Sequence, residues 1–133
     1  MQDFKRLEVW RLGHALALNT HRLSASIPRR DNSGLISQMR RAATSISANI
    51  AEGAAKETRK EFARFLGIAI ASASELENHL IFCRDASLAP LAEVEARLAE
   101  TIKIRRMLFS LLKRIREQDG PVAVGSTPTT NDR

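Results

Sequence analysis

The sequence predicts an all-α fold, an antiparallel up-down four-helix bundle followed by a disordered C-terminal tail. Three observations carry this reading. Apolar residues recur at three- and four-residue steps through four long segments, the period of one helix face. Aromatic residues make up 5% of the chain, with one Trp and no Tyr, whereas strands favour aromatic and β-branched side chains. Short polar connections join the four segments, and helices so joined pack side by side and antiparallel. A length of 133 residues fits one domain. The expected division is a bundle over residues 1–116 and a flexible tail over 117–133.

The first helix is expected from about Asp3 to Ser26. Val9, Leu12, Leu16, Leu23 and Ile27 share its apolar face. Pro28 ends it, because the residue before a proline avoids helical backbone. The second is expected from Ser33 to Glu52, with the stripe Ile36, Met39, Ala43, Ile46 and Ile50. Gly53 stands where a left-handed C-terminal cap would stand. The third opens at a capping box, Thr58 with Glu61, and runs to about Ala86. Its stripe is Phe62, Phe65, Leu66, Ala69, Ala73, Leu76, Leu80 and Cys83. The fourth begins near Pro90, where a missing N–H costs little. Leu91, Val94, Leu98, Ile102, Arg105, Leu108, Leu112 and Ile115 mark its face. After Arg116 the helical period stops, and DGPVAVGSTPTTNDR reads as the tail.

The single Cys83 makes no internal disulfide, which fits a reducing compartment. Asp3, Lys5, Arg6 and Glu8 break up the start of the chain, so it does not read as a signal peptide. No apolar run is long enough to cross a bilayer, and the helices bury one another's apolar faces without a membrane. The expected location is the cytoplasm.

Chemistry has no visible constellation. His14 and His21 are seven residues apart, and a metal site would need further ligands. Glu75 and His79 are four apart, and the Glu-x-x-His pairs of di-iron bundles are missing. Cys83 lies on an apolar stripe, and there is no glycine-rich phosphate loop. The chain reads as a non-enzyme without metal or cofactor.

Within the second helix Arg41, Ser45, Asn49 and Glu52 form a polar stripe beside the apolar one. Either this stripe faces water or part of it packs against another helix. Ala42, Ala43, Ala48 and Ala51 permit close approach, and GIAIASASE in the third helix offers a matching run of small residues. In the second case Ser45, Asn49 and Glu52 are structural polar residues, and Asn49 and Glu52 satisfy donors on the neighbouring helix and fix its register.

Binding is the better class. The net charge is +6, and such an excess favours anionic partners. The cations gather at Arg29 and Arg30, at Arg40 and Arg41, and at Lys56, Arg59, Lys60 and Arg64. Lys103, Arg106, Lys113 and Arg114 make a further basic side. These groups suit phosphate backbones. Glu57, Glu61, Glu93, Glu95 and Glu100 are interspersed and offset them locally. An interleaved aromatic series for stacking bases is missing, so sequence-specific recognition is not expected. Phe4, Leu7 and Trp10 are candidates either for a subunit interface or for the bundle's own core.

Three segments, RLEVWRLGHALA, GLISQMRRAATSISANIAEG and KEFARFLGIAIASASELENHL, resemble consecutive signatures of one family. It is the four-helix-bundle proteins encoded in intervening sequences of bacterial 23S ribosomal RNA genes. The likeness spans about Phe4 to Leu112, and the tail lies outside it. Ala48 stands where relatives more often carry proline or serine. The resemblance implies a closed ring of identical subunits, usually a homopentamer. It also implies relatives that bind nucleic acid, one of which assists a reverse transcriptase, and it implies no catalytic residues. The expected function is a self-assembling bundle that binds structured RNA or other nucleic acid without sequence specificity. The alternative is an oligomeric scaffold for a protein partner, a reverse transcriptase or another protein, with no nucleic-acid role.

Overall fold

The computed structural model of the chain describes residues 3–119. Its elements are a 3-10 turn at Phe4–Arg6 and four helices, α1 (Glu8–Ser24), α2 (Ser33–Ala54), α3 (Arg59–Asp85) and α4 (Leu91–Asp119). Among the described residues there is no strand. Contacts join α1 to α2, α2 to α3, α3 to α4 and α4 back to α1, so the bundle is closed. Side-chain pairs fix the directions. Gly13 faces Ile46 and Ile50 while Ser24 meets Arg40, so α1 and α2 are antiparallel. Ser45 with Ser72 and Gly53 with Phe62 do the same for α2 and α3. Glu77 with Arg105 and Arg59 with Gln118 do it for α3 and α4. The upper end of the bundle therefore holds the connections 25–32 and 86–90. The lower end holds the start of the chain, the connection 55–58 and the last turns of α4.

The expected stripes make the core. Leu16, Leu23, Met39, Ile46, Ile50, Leu66, Leu76, Leu80 and Leu108 are almost wholly buried. Ala43, Ala69 and Ala73 have no exposed surface at all. Ala43 lies on α2 and Ala69 and Ala73 on α3, the two helices that share the most extensive contact in the bundle. Thr58 caps α3 as its position predicts, its hydroxyl accepting the Glu61 N–H at 3.1 Å. The reciprocal half of the capping box is not formed, because Glu61 turns outward to Arg64 at 3.5 Å. At the other end of α3, Ser87 takes a left-handed φ of 55°. The Leu88 N–H then reaches the Cys83 carbonyl at 3.0 Å and closes the helix.

Four expectations need correction. The first helix does not run unbroken from Asp3. The Asp3 carboxylate accepts the Lys5 N–H at 3.1 Å and caps a 3-10 turn. Leu7 is extended (φ −79°, ψ 124°), and α1 starts only at Glu8. Gly53 is not a left-handed cap but lies inside α2, buried, where α3 comes closest. The buried face of α4 passes over Thr101 and Ile104, while Ile102 is half-buried and Leu91 is exposed. Finally, α4 continues past Arg116 to Asp119, so the first residues assigned to the tail are helical. The rest of the expected tail lies outside the described residues.

Candidate nucleic-acid interface

The α2–α3 turn sets the lower end. Gly53 has no side chain, so α3 starts directly against the end of α2. A β-carbon there would stand 2.9 Å from both Phe62 Cδ1 and Phe65 Cβ. This tight turn brings Lys56 and Arg64 to one ring. Lys56 Nζ lies 5.3 Å and the Arg64 guanidinium 4.4 Å from the Phe65 centroid. Both are cation–π distances. Each also has an exposed acidic neighbour, Glu52 at 3.7 Å from Lys56 and Glu61 at 3.5 Å from Arg64. Exposed pairs of this kind hold weakly and are screened by salt.

The end of α4 joins this group. Arg59 Nε donates to Gln118 Oε1 at 3.0 Å, tying the first turn of α3 to the last turns of α4. Arg114 sits one helical turn before Gln118 on that face, and Lys113 is its neighbour. Arg59, Lys60, Lys113 and Arg114 are all exposed. None of the four has a carboxylate partner among the described residues. The fold thus gathers two groups that are some fifty residues apart in the chain.

The other predicted cations do not join them. Arg29 and Arg30 are exposed in the upper connection. Arg40 is half-buried and structural: its Nε donates to Ser24 Oγ at 2.8 Å. That places its charge at the C-terminus of α1, where the helix dipole favours a cation. Arg41 is exposed beside it. Lys103 and Arg106 lie on the outer side of α4 along a shallow groove of about 540 Å³, between Ile102 and Met107. Arg105 belongs to the inner side, paired with Glu77 at 3.1 Å.

The small polar residues of α2 hold helices together, by a different route from the one expected. Ser45 and Ser72 hydroxyls meet at 2.8 Å across the α2–α3 contact. Asn49 Nδ2 reaches back within α2, donating to the Ser45 carbonyl at 2.8 Å and to its hydroxyl at 2.9 Å. Glu52 stays in water with Lys56. Ser45 therefore crosses to the neighbour, and Asn49 braces it from one turn below. Ala48 is exposed and Ala51 half-buried, whereas Ala42 and Ala43 are buried.

Phe4, Leu7 and Trp10 are half-buried and pack against the core from outside. Trp10 also carries a partner one helical turn on, His14, stacked on it with centroids 5.0 Å apart. Of the remaining groups, His21 Nδ1 lies 3.2 Å from the Ala17 carbonyl. His79 pairs with Glu75 at 3.4 Å. Among the described residues no three His, Cys, Asp or Glu side chains converge on one point. Burial pushes the Cys83 thiol up from its ordinary pKa, which leaves it protonated and unreactive. Among the described residues no helix is long and apolar enough to cross a membrane.

Comparison with known proteins agrees with the fold. The family model for "23S rRNA-intervening sequence protein" matches residues 5–110. Among solved structures, the chain is similar to a protein of unknown function from the S23 ribosomal protein family of Bacteroides thetaiotaomicron. The two are 24% identical with a TM-score of 0.71, and the match covers 79% of this chain and 98% of the other. At that identity the likeness speaks for the fold alone. No curated protein matches.

Proposed function

Because the chain belongs to the 23S rRNA-intervening sequence protein family, we propose that it is a non-enzymatic, self-assembling bundle that binds structured RNA or other nucleic acid through its cations. The observation that carries this reading is the gathering of Lys56, Arg59, Lys60 and Arg64 with Lys113 and Arg114 at the lower end. Cations held at the ends of packed helices, four of them with no carboxylate partner among the described residues, suit a phosphate backbone, which is read by charge and spacing with no base contact. The binding is therefore independent of sequence. Assembly into a ring, the pentamer that the family resemblance implies, multiplies the patch. Several modest contacts then act as one, and affinity rises through effective concentration.

A second reading, a scaffold for a protein partner, is favoured by α4. Phe109 and Leu91 are exposed, and Ile102 and Met107 line the groove on its outer side. The two readings separate on purification. Protein prepared at low salt is expected to carry host RNA, seen as a raised ratio of nucleic-acid to protein absorbance, and to release it in high salt. Clean protein at low salt, with no shift of a structured RNA, would favour the scaffold. Light scattering on the same sample reads the assembly. A stable monomer at micromolar concentration would remove the ring.

A further inference from the structure

The group that neither the core nor the basic end absorbs is the aromatic stack at the start of α1. The 3-10 turn folds Phe4 back beside the first helical turn, where it meets Trp10 edge-on, centroids 5.0 Å apart at 65°. On Trp10 lies His14, nearly parallel at 10°. Phe4 and Trp10 are half-buried and fixed against the core, whereas His14 is exposed. The stack therefore has one seated end and one open end, the outer face of the imidazole. Cations gather at its seated end. Lys5 Nζ is 6.0 Å from the Phe4 centroid, and Arg11 folds back to donate to the Lys5 carbonyl at 3.4 Å. Arg6 is exposed in the same turn. Of the two nearby carboxylates, Asp3 is engaged with the Lys5 N–H, and Glu8 faces water.

A flat ring backed by a seated aromatic pair, with cations at the other end of the stack, fits the chemistry of a nucleic-acid strand. Each base has a π-face to stack, and each phosphate is an anion to neutralise. We propose that the Phe4–Trp10–His14 stack takes an unpaired nucleobase of a nucleic-acid strand. The base lies on the outer face of His14, and the strand runs on from it so that phosphates of neighbouring nucleotides pass Lys5, Arg6 and Arg11 at the seated end. The proposal rests on the nucleic-acid reading above and adds what that reading lacks, a preference for unpaired over paired nucleotides. The stack belongs to the same end of the molecule as the cation group. Pairing of Gly13 with Ile46 and Ile50 sets the start of α1 beside the end of α2.

Trp10 is the single tryptophan, so its fluorescence reports on the stack directly. The probes are oligouridylate, oligodeoxythymidylate and a blunt RNA duplex of equal length. Single strands are expected to quench Trp10 saturably, and the duplex is expected to bind with little quenching. Equal quenching by the two single strands supports a base platform indifferent to the sugar; quenching by oligouridylate alone supports one selective for RNA. His14→Ala is expected to weaken single-strand binding about tenfold, within the range for losing one stacked base. It should leave duplex binding and thermal unfolding unchanged, and His14→Phe should restore the strand affinity. Duplex binding with no strand-specific quenching would overturn the stack proposal alone. Failure to bind any probe would overturn the nucleic-acid reading with it. Emission that changes on protein dilution and ignores the oligonucleotides would assign the stack to a contact between protein chains.

Discussion

Gly53 shows how much one absent methyl group decides. A β-carbon at this position would sit 2.9 Å from Phe62 Cδ1 and Phe65 Cβ and 3.3 Å from the Phe62 carbonyl oxygen. The first two distances are too short for real carbons, so α2 and α3 would have to part. Gly53→Ala is expected to destabilise the fold by about 1–3 kcal/mol, as overpacking does. Gly67, inside α3, has nothing within 4 Å of such a carbon. Gly67→Ala is therefore expected to stabilise by about 0.5–1 kcal/mol, the helix-propensity difference. Urea denaturation of the two variants checks this, and shifts of the same sign would contradict it. The sequence does not separate the two roles a glycine takes after an apolar stripe. A helix end and a close approach look alike until the facing residues are known, and those lie beyond the turn. Cys83 is the opposite case. Its place on the stripe of α3 already marks it as core, and it is fully buried.

At the scale of elements, apolar period legibly gives four helices and their inward faces, because burying a stripe is a local requirement repeated every turn. Register between helices is not given by period. Runs of alanine and serine on α2 and α3 admit several alignments, and a specific contact must choose among them. Ser45 with Ser72 makes that choice at 2.8 Å, with Asn49 holding Ser45 in place. Asn49 bends back along α2 since residues four apart on a helix are neighbours, and nothing in its spacing tells that choice from a reach across to α3. Ser45→Ala removes the partner of the buried Ser72 hydroxyl, and is expected to cost about 1–3 kcal/mol. Removing both hydroxyls leaves nothing unpaired between them. The double variant should therefore be more stable than the sum of the single effects predicts, by about 1 kcal/mol. A double-mutant cycle measured by thermal unfolding tests this, and strict additivity would show that the two hydroxyls do not interact. The start of α1 escapes the apolar period for a related reason. The Asp3 cap and the extended Leu7 are local choices that an apolar stripe does not record.

At the scale of the whole molecule, charge is legible and its grouping is not. The sequence names every cation, but which of them share an end depends on the antiparallel path of the chain. That path joins Arg59 and Lys60 to Lys113 and Arg114, leaves Arg29 and Arg30 at the other end, and turns Arg40 to the task of closing α1. The most direct test of the account is the salt dependence of binding to one structured RNA. It compares the unaltered chain with a lower-end variant, Arg59→Gln, Lys60→Gln, Lys113→Gln and Arg114→Gln, and an upper-end variant, Arg29→Gln and Arg30→Gln. In the lower-end variant the slope of log affinity against log salt should fall by about one for each phosphate no longer neutralised. The upper-end variant should keep nearly the full slope. Equal slopes in all three proteins, or no binding by the unaltered chain at low salt, would contradict this expectation.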